Sequence, residues 1–311
     1  MLPLHPEFSP RRSYLLGISG GRDSVALLHA LLAAGCRKIT LCHLNHQLRG
    51  LFSSDDAAFV RSLADAHDLP FEIGRMNVAR LAEEQGLSIE TAAREARHLF
   101  FATCAKRRNC NNVLLAHHAD DNAETILFNL LRGSAGLKGM RFETTLRVER
   151  RKLTFYRPLL QTRRAEIDAF IDDKRIPYRE DATNSQPIAT RNRIRLEALP
   201  LLDGILGRDV TAGILRAAAH DEEQEALLED LLEVLHLEDP QGRLFLPKLR
   251  DLPPSLQRRA LFQYLKIHQI GDLSRDVLDR CLQLIAAAGP AKENLPGNRH
   301  LRRRASRIFI E

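Results

Sequence analysis

Short apolar runs alternate with amphipathic stretches along the first part of the chain. Residues 13–18 form a short apolar run, as in a buried strand, whereas 23–34 carries valine and leucines at helical spacing. The same alternation predicts further strands at 39–44, 70–76, 113–116 and 154–157, and helices at 54–67, 89–107, 120–131 and 159–174. Strands that alternate with helices indicate an α/β fold, with a Rossmann-like parallel sheet flanked by helices on both faces.

The hydrophobic pattern changes after residue 200. Residues 215–235 and 255–268 have helical periodicity. We therefore predict a first domain over residues 1–200 and a smaller, mainly helical C-terminal domain over residues 201–311. Residues 138–154 are charged, contain glycines and are only weakly periodic, so this segment is predicted to be a loop.

Charge adds a possible partner to this picture. The net charge of +6 is consistent with a polyanionic partner. Five arginines crowd the end of the chain: Arg299, Arg302, Arg303, Arg304 and Arg307. They are predicted to form a basic tail or edge that contacts phosphates; the alternative is that they pair with the acidic helix residues Asp221, Glu222, Glu223 and Glu225.

Two negative observations bear on the compartment. No apolar run approaches the ~20 residues that a bilayer requires, and no signal segment opens the chain. We expect a soluble, cytoplasmic protein with no membrane partner. The five cysteines show no CxxC spacing, so they are predicted to be reduced and mostly buried.

The segment Ser19-Gly20-Gly21-Arg22-Asp23-Ser24 lies between the first strand and the first helix. Glycines let the backbone approach a phosphate, and the helix N-terminus supplies N–H donors, so the segment predicts an anion cradle. It lacks the GK[ST] ending of a Walker loop, which argues against γ-phosphoryl transfer. The alternative is an ordinary glycine turn with Asp23 and Ser24 as helix caps.

A second candidate group follows the fourth predicted strand. His117, Asp121 and Glu124 are separated by four and three residues, which places them on one side of a helix. A carboxylate pair at the carboxyl end of a strand can hold Mg²⁺ or an ammonium group. The alternatives are that Asp120 and Asp121 only complement the helix dipole, that the histidines are structural, or that the cluster binds zinc.

Arg94 and Arg97 lie three residues apart on the helix predicted at 89–107. An arginine there can contact phosphate through its planar fork. The alternative is surface pairing with Glu90 and Glu95.

The glycine loop resembles the PP-loop of N-type ATP pyrophosphatases, which cleave ATP between the α- and β-phosphates. Further segments resemble blocks of the tRNA(Ile)-lysidine synthetase family in the same order. These segments are 43–50 (HLNHQLRG), 90–97 (ETAAREAR), 116–125 (AHHADDNAET), 132–134 (RGS), 157–159 (RPL), 181–184 (DATN) and 191–195 (RNRIR). The resemblance runs from Tyr14 to Pro200.

This resemblance implies ATP-dependent ligation of lysine to C2 of the wobble cytidine in CAU-anticodon tRNA(Ile), through an adenylated intermediate with release of pyrophosphate and AMP. The implied cofactors are ATP and Mg²⁺, and the implied partners are tRNA(Ile) and free L-lysine. The implied ATP-binding residues are Ser19, Gly20, Gly21, Arg22, Asp23, Ser24 and Arg97. The implied catalytic residues are Asp23, His117, Asp121, Glu124 and Arg191, with Arg195 as the alternative to Arg191.

Several points stay open at this stage. Asp121 and Glu124 hold either Mg²⁺ or the lysine amine, and Arg302, Arg303 and Arg304 are expected to bind tRNA in the C-terminal domain. Longer members of the family carry a further C-terminal domain that helps to grip tRNA, so the grip is expected to differ here. A homodimer is one option for the oligomeric state. The rival functions are tRNA thiolation and non-catalytic RNA binding.

Overall fold

The computed structural model describes residues 1–47, 52–134, 136–179 and 190–311, apart from the side chains of 52–54 and 191. The chain forms two compact units, Met1–Asp221 and Glu222–Glu311. The domain boundary after residue 200 stays a prediction.

A six-stranded sheet organises the first unit. Its strands are β1 (Tyr14–Gly17), β2 (Ile39–Asn45), β3 (Phe71–Arg75), β4 (Asn112–Leu114), β5 (Glu143–Val148) and β6 (Arg151–Tyr156). Their order is β3-β2-β1-β4-β6-β5. All neighbours are parallel except β5 and β6, which pair antiparallel. The predicted α/β fold with a mostly parallel sheet is confirmed.

Helices cover both faces of this sheet. They are α1 (Arg22–Ala33), α2 (Phe52–Ala66), α3 (Val78–Gln85), α4 (Ile89–Arg108), α5 (Ala119–Leu131), α6 (Arg164–Lys174), α7 (Thr190–Arg193), a π-helix (Ile194–Ala198) and α8 (Leu199–Leu206). Adjacent residues of β1 belong to different cores: Leu16 packs with Leu28 of α1, and Leu15 packs with Phe101 of α4. Because both faces are buried, the central strands read as unbroken apolar runs.

The loop predicted over residues 138–154 is wrong, because β5 occupies Glu143–Val148. This strand lies at the edge of the sheet, and its exposed positions alternate with half-buried and buried ones. Only Leu146 and Val148 carry the hydrophobic signal, since an edge strand exposes one face. The hydrophobic periodicity of this segment is therefore weak, because β5 is a strand through its pairing with β6.

The strand order changes direction beside β1. The chain passes from β1 outward to β2 and β3 and then returns to the other side of β1 as β4. In open α/β sheets such a switch leaves a crevice at the carboxyl ends of the two strands, where ligands bind. The segments that follow β1 and β4 are the glycine loop and the segment ending at His118.

The second unit combines helices with a small antiparallel sheet. The C-terminal part of α9 (Val210–Val234) is followed by β7 (Leu244–Phe245), α10 (Leu246–Arg250), α11 (Pro254–Ile267), α12 (Arg275–Leu282), a 3₁₀ turn (Gln283–Ile285), β8 (Lys292–Leu295), β9 (Arg299–Arg304) and β10 (Arg307–Ile310). The sheet order is β7-β10-β9-β8. The predicted helices are confirmed, and the basic end of the chain forms strands β9 and β10.

The terminal arginines have individual partners within this unit. Arg302 pairs with Glu311, Arg307 pairs with Asp239, and Arg299 donates to the His268 carbonyl oxygen. Pairing of these arginines with the acidic segment of α9 is therefore wrong. Glu225 of that segment pairs instead with Arg259 of α11, at 2.6 Å.

All five cysteines are buried and free, as predicted. Among the described residues, no helix combines the length and hydrophobicity needed to cross a bilayer.

Arg303 differs from its neighbours because its guanidinium donates to several backbone carbonyl oxygens. Its guanidinium lies within 3.5 Å of four carbonyl oxygens, those of Leu284, Ala286, Ala287 and Gly289. Hydrogen bonds from a charged donor to otherwise unpaired carbonyls are among the stronger ones in proteins. Arg303 thus orders the turn after α12.

We predict that Arg303→Ala lowers the stability of the second unit by about 2 kcal/mol, since a charged hydrogen-bond donor is removed. Hydrogen exchange at residues 283–289, measured with thermal unfolding, reports the loss. The matched variant is Arg304→Ala, because Arg304 is exposed and should change stability by less than about 0.5 kcal/mol. Equal effects of both substitutions would contradict the structural role of Arg303.

Candidate active site

The glycine loop between β1 and α1 is held closed by its two serines. Ser24 Oγ donates to the Gly21 carbonyl oxygen at 2.8 Å and accepts from the Ser19 N–H at 3.3 Å. Ser19 Oγ accepts from the Gly21 N–H at 3.1 Å. Gly20 has φ +92°, a conformation that only glycine adopts without strain.

The first turn of α1 carries no side-chain cap, which contradicts the alternative in which Asp23 and Ser24 cap this helix. Its N–H groups and the positive end of the helix dipole therefore face the loop. Such a terminus binds phosphate or another anion. The loop has the geometry of an anion cradle.

His118 lies fully buried between two carboxylates. Its Nδ1 accepts from the Asp121 N–H at 3.4 Å, while its own backbone N–H donates to Asp121 Oδ2 at 3.1 Å, which forms a capping box at the start of α5. Because Nδ1 accepts, the neutral ring carries its proton at Nε2. That atom lies 3.4 Å from Asp121 Oδ2 and 3.9 Å from Asp23 Oδ2. His118 thereby joins α1 to α5.

Arg195 spans the other pair of carboxylates. Its Nε donates to Glu124 Oε1 at 2.5 Å, and its Nη2 donates to Asp121 Oδ1 at 2.6 Å. Arg195 comes from the π-helix Ile194–Ala198, and π-helical turns occur frequently at functional sites. Asp121 and Glu124 therefore already hold one organic cation in this structure.

These carboxylates are not in ordinary surroundings. Burial raises the pKa of Asp23 above its usual value, and nearby Asp121 adds to the rise, although His118 and Arg195 oppose it. Burial also raises the pKa of Glu124, despite its pairing with Arg195. Asp23 Oδ1 is buried without a hydrogen-bond partner among the described residues. Carboxylates with raised pKa values in a crevice are candidates for binding or proton transfer.

A cationic cluster lies beside the carboxylates. Burial lowers the pKa of both Arg97 and Arg157, and the neighbouring Arg94 adds to this. Burial also lowers the pKa of His117 to about 4, with Arg157 and Arg97 adding to the decrease and Asp121 opposing it. Burial also lowers the pKa values of His46 and His98 to about 4; Arg97 adds to both decreases, and Arg94 and Arg157 add to that of His98.

This cluster contains unsatisfied polar atoms. Three are buried without a hydrogen-bond partner among the described residues: His46 Nδ1, His117 Nδ1 and Arg157 Nε. Burying several guanidinium groups together is costly unless an anion compensates them. The cluster thus has the composition of a phosphate site.

The predicted site residues fall into three groups. Ser19, Gly20, Gly21, Asp23 and Ser24 lie at the carboxyl end of β1, and Asp121 and Glu124 converge on the same crevice, with His117 and Arg97 beside them. Arg22 donates to Asp168 at 2.5 Å and to the Tyr178 hydroxyl at 2.9 Å, so its guanidinium is already paired. The Arg191 side chain, residues 48–50 and residues 181–184 lie outside the described part of the chain.

The helix after β4 differs in detail from the pattern expected. His118 is the N-cap and α5 begins at Ala119, so His117 lies ahead of the helix. Ile126 is buried, whereas Leu130 and Leu131 are exposed.

Sequence reasoning missed the role of His118 and of Arg157, and named Arg195 only as an alternative to Arg191. The available signal for His118 was its place three residues before Asp121 at an acidic helix start, which is capping spacing. No sequence signal shows that Arg195 reaches across 71 residues to Glu124.

Metal binding depends on which metal is considered. Among the described residues, no group of three or more His, Cys, Asp or Glu side chains is placed to hold a metal ion. Zinc usually takes at least three such ligands. Mg²⁺ needs only one or two carboxylates together with substrate phosphates, so Asp23, with its unpartnered oxygen, and Asp121 fit that ion.

Family models match both parts of the chain. One described as a PP-loop domain matches residues 3–202, and one described as a TilS substrate binding domain matches residues 244–309.

Two curated relatives show how far the similarity extends. The tRNA(Ile)-lysidine synthase of Geobacter sulfurreducens is 36% identical over 298 residues, covering 92% of this chain and 62% of the relative. That of Chlorobaculum tepidum is 33% identical over 280 residues, covering 87% of this chain and 82% of the relative. The chain thus spans only 62% of the length of the Geobacter relative.

The fold also occurs in a solved structure of low sequence identity. The U34-tRNA thiolase NcsA from Methanococcus maripaludis superposes with a TM-score of 0.53 at 14% identity, covering 67% of this chain and 71% of that chain. This likeness concerns the fold alone.

We predict that Asp23→Asn raises the melting temperature at neutral pH. The folded state raises the pKa of Asp23, so its ionised form destabilises the fold above that pKa. The gain should shrink as the pH falls toward about 4, where the aspartate itself becomes protonated. Thermal unfolding of both proteins across this pH range measures the effect.

Asp120→Asn is the matched control with the opposite sign. Burial alone would raise the pKa of Asp120, but hydrogen bonds from Arg163 and from the Arg164 N–H outweigh it and lower the pKa. Asp120 therefore contributes stability above its unfolded pKa, and Asn should lower the melting temperature at neutral pH. A loss of stability in both variants would contradict the burial argument for Asp23.

Proposed function

Because the chain belongs to the tRNA(Ile)-lysidine synthase family of PP-loop proteins, we propose that it ligates lysine to C2 of the wobble cytidine in CAU-anticodon tRNA(Ile) at the expense of ATP. The observation that carries this proposal is the convergence of the glycine loop with Asp23, Asp121 and Glu124 at the β1–β4 crevice. One half of the site suits phosphates, and the other suits an amine.

The first step is adenylation of the base. The C2 carbonyl oxygen of cytidine attacks the α-phosphorus of ATP, a P–O bond forms, and the bond to the β-phosphate breaks with release of pyrophosphate. The loop Ser19–Ser24 holds the departing pyrophosphate at the N-terminus of α1. Arg97 and Arg157 supply positive charge for the phosphates, which their lack of carboxylate partners among the described residues supports.

The second step replaces AMP by lysine. The ε-amine attacks C2, a C–N bond forms, and the C–O bond to AMP breaks. Arg195 shows that Asp121 and Glu124 accept an organic cation, so they are suited to the lysine ammonium group. The amine must lose a proton to attack, and the raised pKa of Glu124 makes it the better acceptor.

Mg²⁺ is the proposed metal. When bound by Asp23 and Asp121 with the ATP phosphates, it would offset the negative charge on those phosphates. The buried His118 ring lies between these two carboxylates, with Nε2 3.9 Å from Asp23 Oδ2 and 3.4 Å from Asp121 Oδ2.

The second unit is proposed to contact tRNA. Arg302 and Arg304 on β9 are the better candidates for phosphate contacts, because Arg303 is engaged by backbone carbonyls. We place the protein in the cytoplasm, where its substrates occur.

The buried cysteines give no support to the rival thiolation. None of the five is exposed, and the candidate residues around the crevice include none of them.

The expected activity is lysidine formation from ATP, labelled lysine and an unmodified CAU-anticodon tRNA transcript. Digestion of the tRNA and identification of the modified nucleoside measure it. A transcript with a uridine wobble base is the control, because it should accept no label. RNA binding without ATP–pyrophosphate exchange would instead support a non-catalytic protein, and a thiolated nucleoside would support the rival reaction.

Glu124→Gln should lower lysine transfer by about 100-fold or more, because charge is lost at a proton-transfer site while the shape is kept. If Glu124 binds the lysine amine, tRNA-dependent ATP–pyrophosphate exchange without lysine is retained. If the carboxylates instead hold Mg²⁺, both activities fall, and Asp121→Asn behaves the same way.

The matched control is Glu197→Gln. Glu197 lies on the π-helix that carries Arg195, and its exposed carboxylate pairs with Arg193 of α7. This substitution should leave both activities unchanged. Normal lysine transfer in Glu124→Gln and Asp121→Asn together would reduce this cluster to a complement of the helix dipole.

A further inference from the structure

The outer edge of the six-stranded sheet carries a positive surface that the proposed chemistry does not use. Four side chains, those of Thr145, Arg147, Arg150 and Lys152, line an open cavity of about 340 Å³ on the β5–β6 hairpin. We call these residues, with Thr154, the hairpin surface. All of them except Thr154 are exposed, and Thr154 is half-buried.

The register of the hairpin brings like charges together. Arg147 lies directly opposite Lys152, so both side chains project from the same face. Like charges at directly opposed positions destabilise an antiparallel pair. The fold itself therefore gains nothing from this arrangement.

Acidic partners do not relieve the repulsion. Among the described residues, no carboxylate forms an ion pair with Arg147, Arg150 or Lys152, whereas Arg107 and Arg108, at the end of α4, both pair with Glu72. Glu149, in the turn of the hairpin, supplies one exposed negative charge to the group. The local balance stays positive.

The other lining groups show what kind of anion fits. Thr145 and Thr154 lie opposite each other with their hydroxyl oxygens 3.3 Å apart, so the charges continue into a row of hydroxyls along the strands. The lining contains no aromatic ring on which a base could stack, and no large apolar side chain of the hairpin is exposed. A free nucleotide would lack base contacts, and a membrane would lack an apolar anchor.

We propose that the hairpin surface binds the phosphodiester backbone of the RNA substrate, as a contact separate from the crevice. The crevice lies at the carboxyl ends of β1 and β4, whereas the hairpin turn lies at the amino end of β6, which runs parallel to β4. The contact thus falls on RNA beyond the reacting nucleotide. Naming this RNA as tRNA rests on the proposed function.

The test is the double substitution Arg147→Gln with Lys152→Gln, which keeps side-chain length and removes two charges. Affinity for the tRNA transcript should fall about tenfold at about 50 mM salt, and the slope of log affinity against log salt should decrease by about 1.5. Cognate and non-cognate tRNA should be affected alike, because phosphate contacts carry no sequence information. The KM for ATP and kcat at saturating tRNA should not change.

Stability provides a readout with the opposite sign. Because the substitution removes an opposed pair of like charges, the melting temperature should stay the same or rise. A lower melting temperature would show that the residues act in folding and would overturn the proposal.

The charge-matched control is Arg37→Gln with Lys38→Gln, an exposed basic pair ahead of β2. It should leave the RNA affinity unchanged; an equal loss of affinity would indicate a general charge effect and overturn the proposal. The proposal would also be overturned if Arg147 and Lys152 bind the wild type to anionic phospholipid vesicles while their substitution leaves the RNA affinity unchanged.

The two proposals fail separately. If the wild type forms no lysidine but the hairpin substitution still weakens RNA binding, the proposed function fails and the hairpin surface stands. If the wild type forms lysidine but the hairpin substitution leaves RNA affinity unchanged, the proposed function stands and the hairpin proposal fails.

Discussion

The burial of three carboxylates around one crevice is the constraint on which the rest of the first unit depends. Burial there costs the carboxylates hydration, which raises the pKa of Asp23 and of Glu124, and the nearby Asp121 adds to both rises. The surrounding structure supplies what offsets this cost: the His118 ring between Asp23 and Asp121, and the Arg195 guanidinium across Asp121 and Glu124. Each of these contacts joins a different element to α5. The site is consequently held by the same interactions that fix the packing of α1 and the π-helix against that helix.

A second group of like charges lies beside the first, with opposite sign. Arg94, Arg97 and Arg157 share their surroundings with three imidazoles whose pKa values are lowered to about 4, so these rings are neutral near neutral pH and add no further positive charge. The separation of acidic and basic halves matches the proposed reaction, in which one substrate is a polyphosphate and another is a cationic amine. Several polar atoms on both sides have no partner among the described residues, and ligands are the groups that would satisfy them. Such strain is commonly retained at active sites at some cost in stability.

The net charge of +6 belongs to the first unit, because the 14 basic and 14 acidic residues of Glu222–Glu311 cancel. On the β5–β6 hairpin of that unit, Arg147 lies opposite Lys152, and among the described residues no carboxylate forms an ion pair with either. In the second unit, by contrast, a cleft of about 500 Å³ is lined by Glu229, Asp230, Glu233 and Glu238, together with apolar residues such as Leu232 and Ile267. RNA phosphates would be repelled there. The overall charge alone therefore does not identify the faces to which RNA phosphates could bind.

The sequence by itself determined the central strands, the helices that cover them, the glycine loop and the carboxylates after β4. These features depend on local signals: unbroken apolar runs, helical periodicity, glycines at a strand–helix junction and acidic residues at a helix start. Only the tertiary structure decided that β5 is a strand, that the basic end forms paired strands, and that Arg22 is engaged by Asp168 while Arg195 holds Glu124. An edge strand forms through hydrogen bonds to its neighbouring strand. A long arginine side chain can reach several carboxylates that are distant in sequence. The position of His118 depends both on the local sequence and on the tertiary structure. Its spacing to Asp121 is a capping pattern that the sequence shows. Its approach to Asp23 requires α1 and α5 to meet at the point where the sheet changes direction.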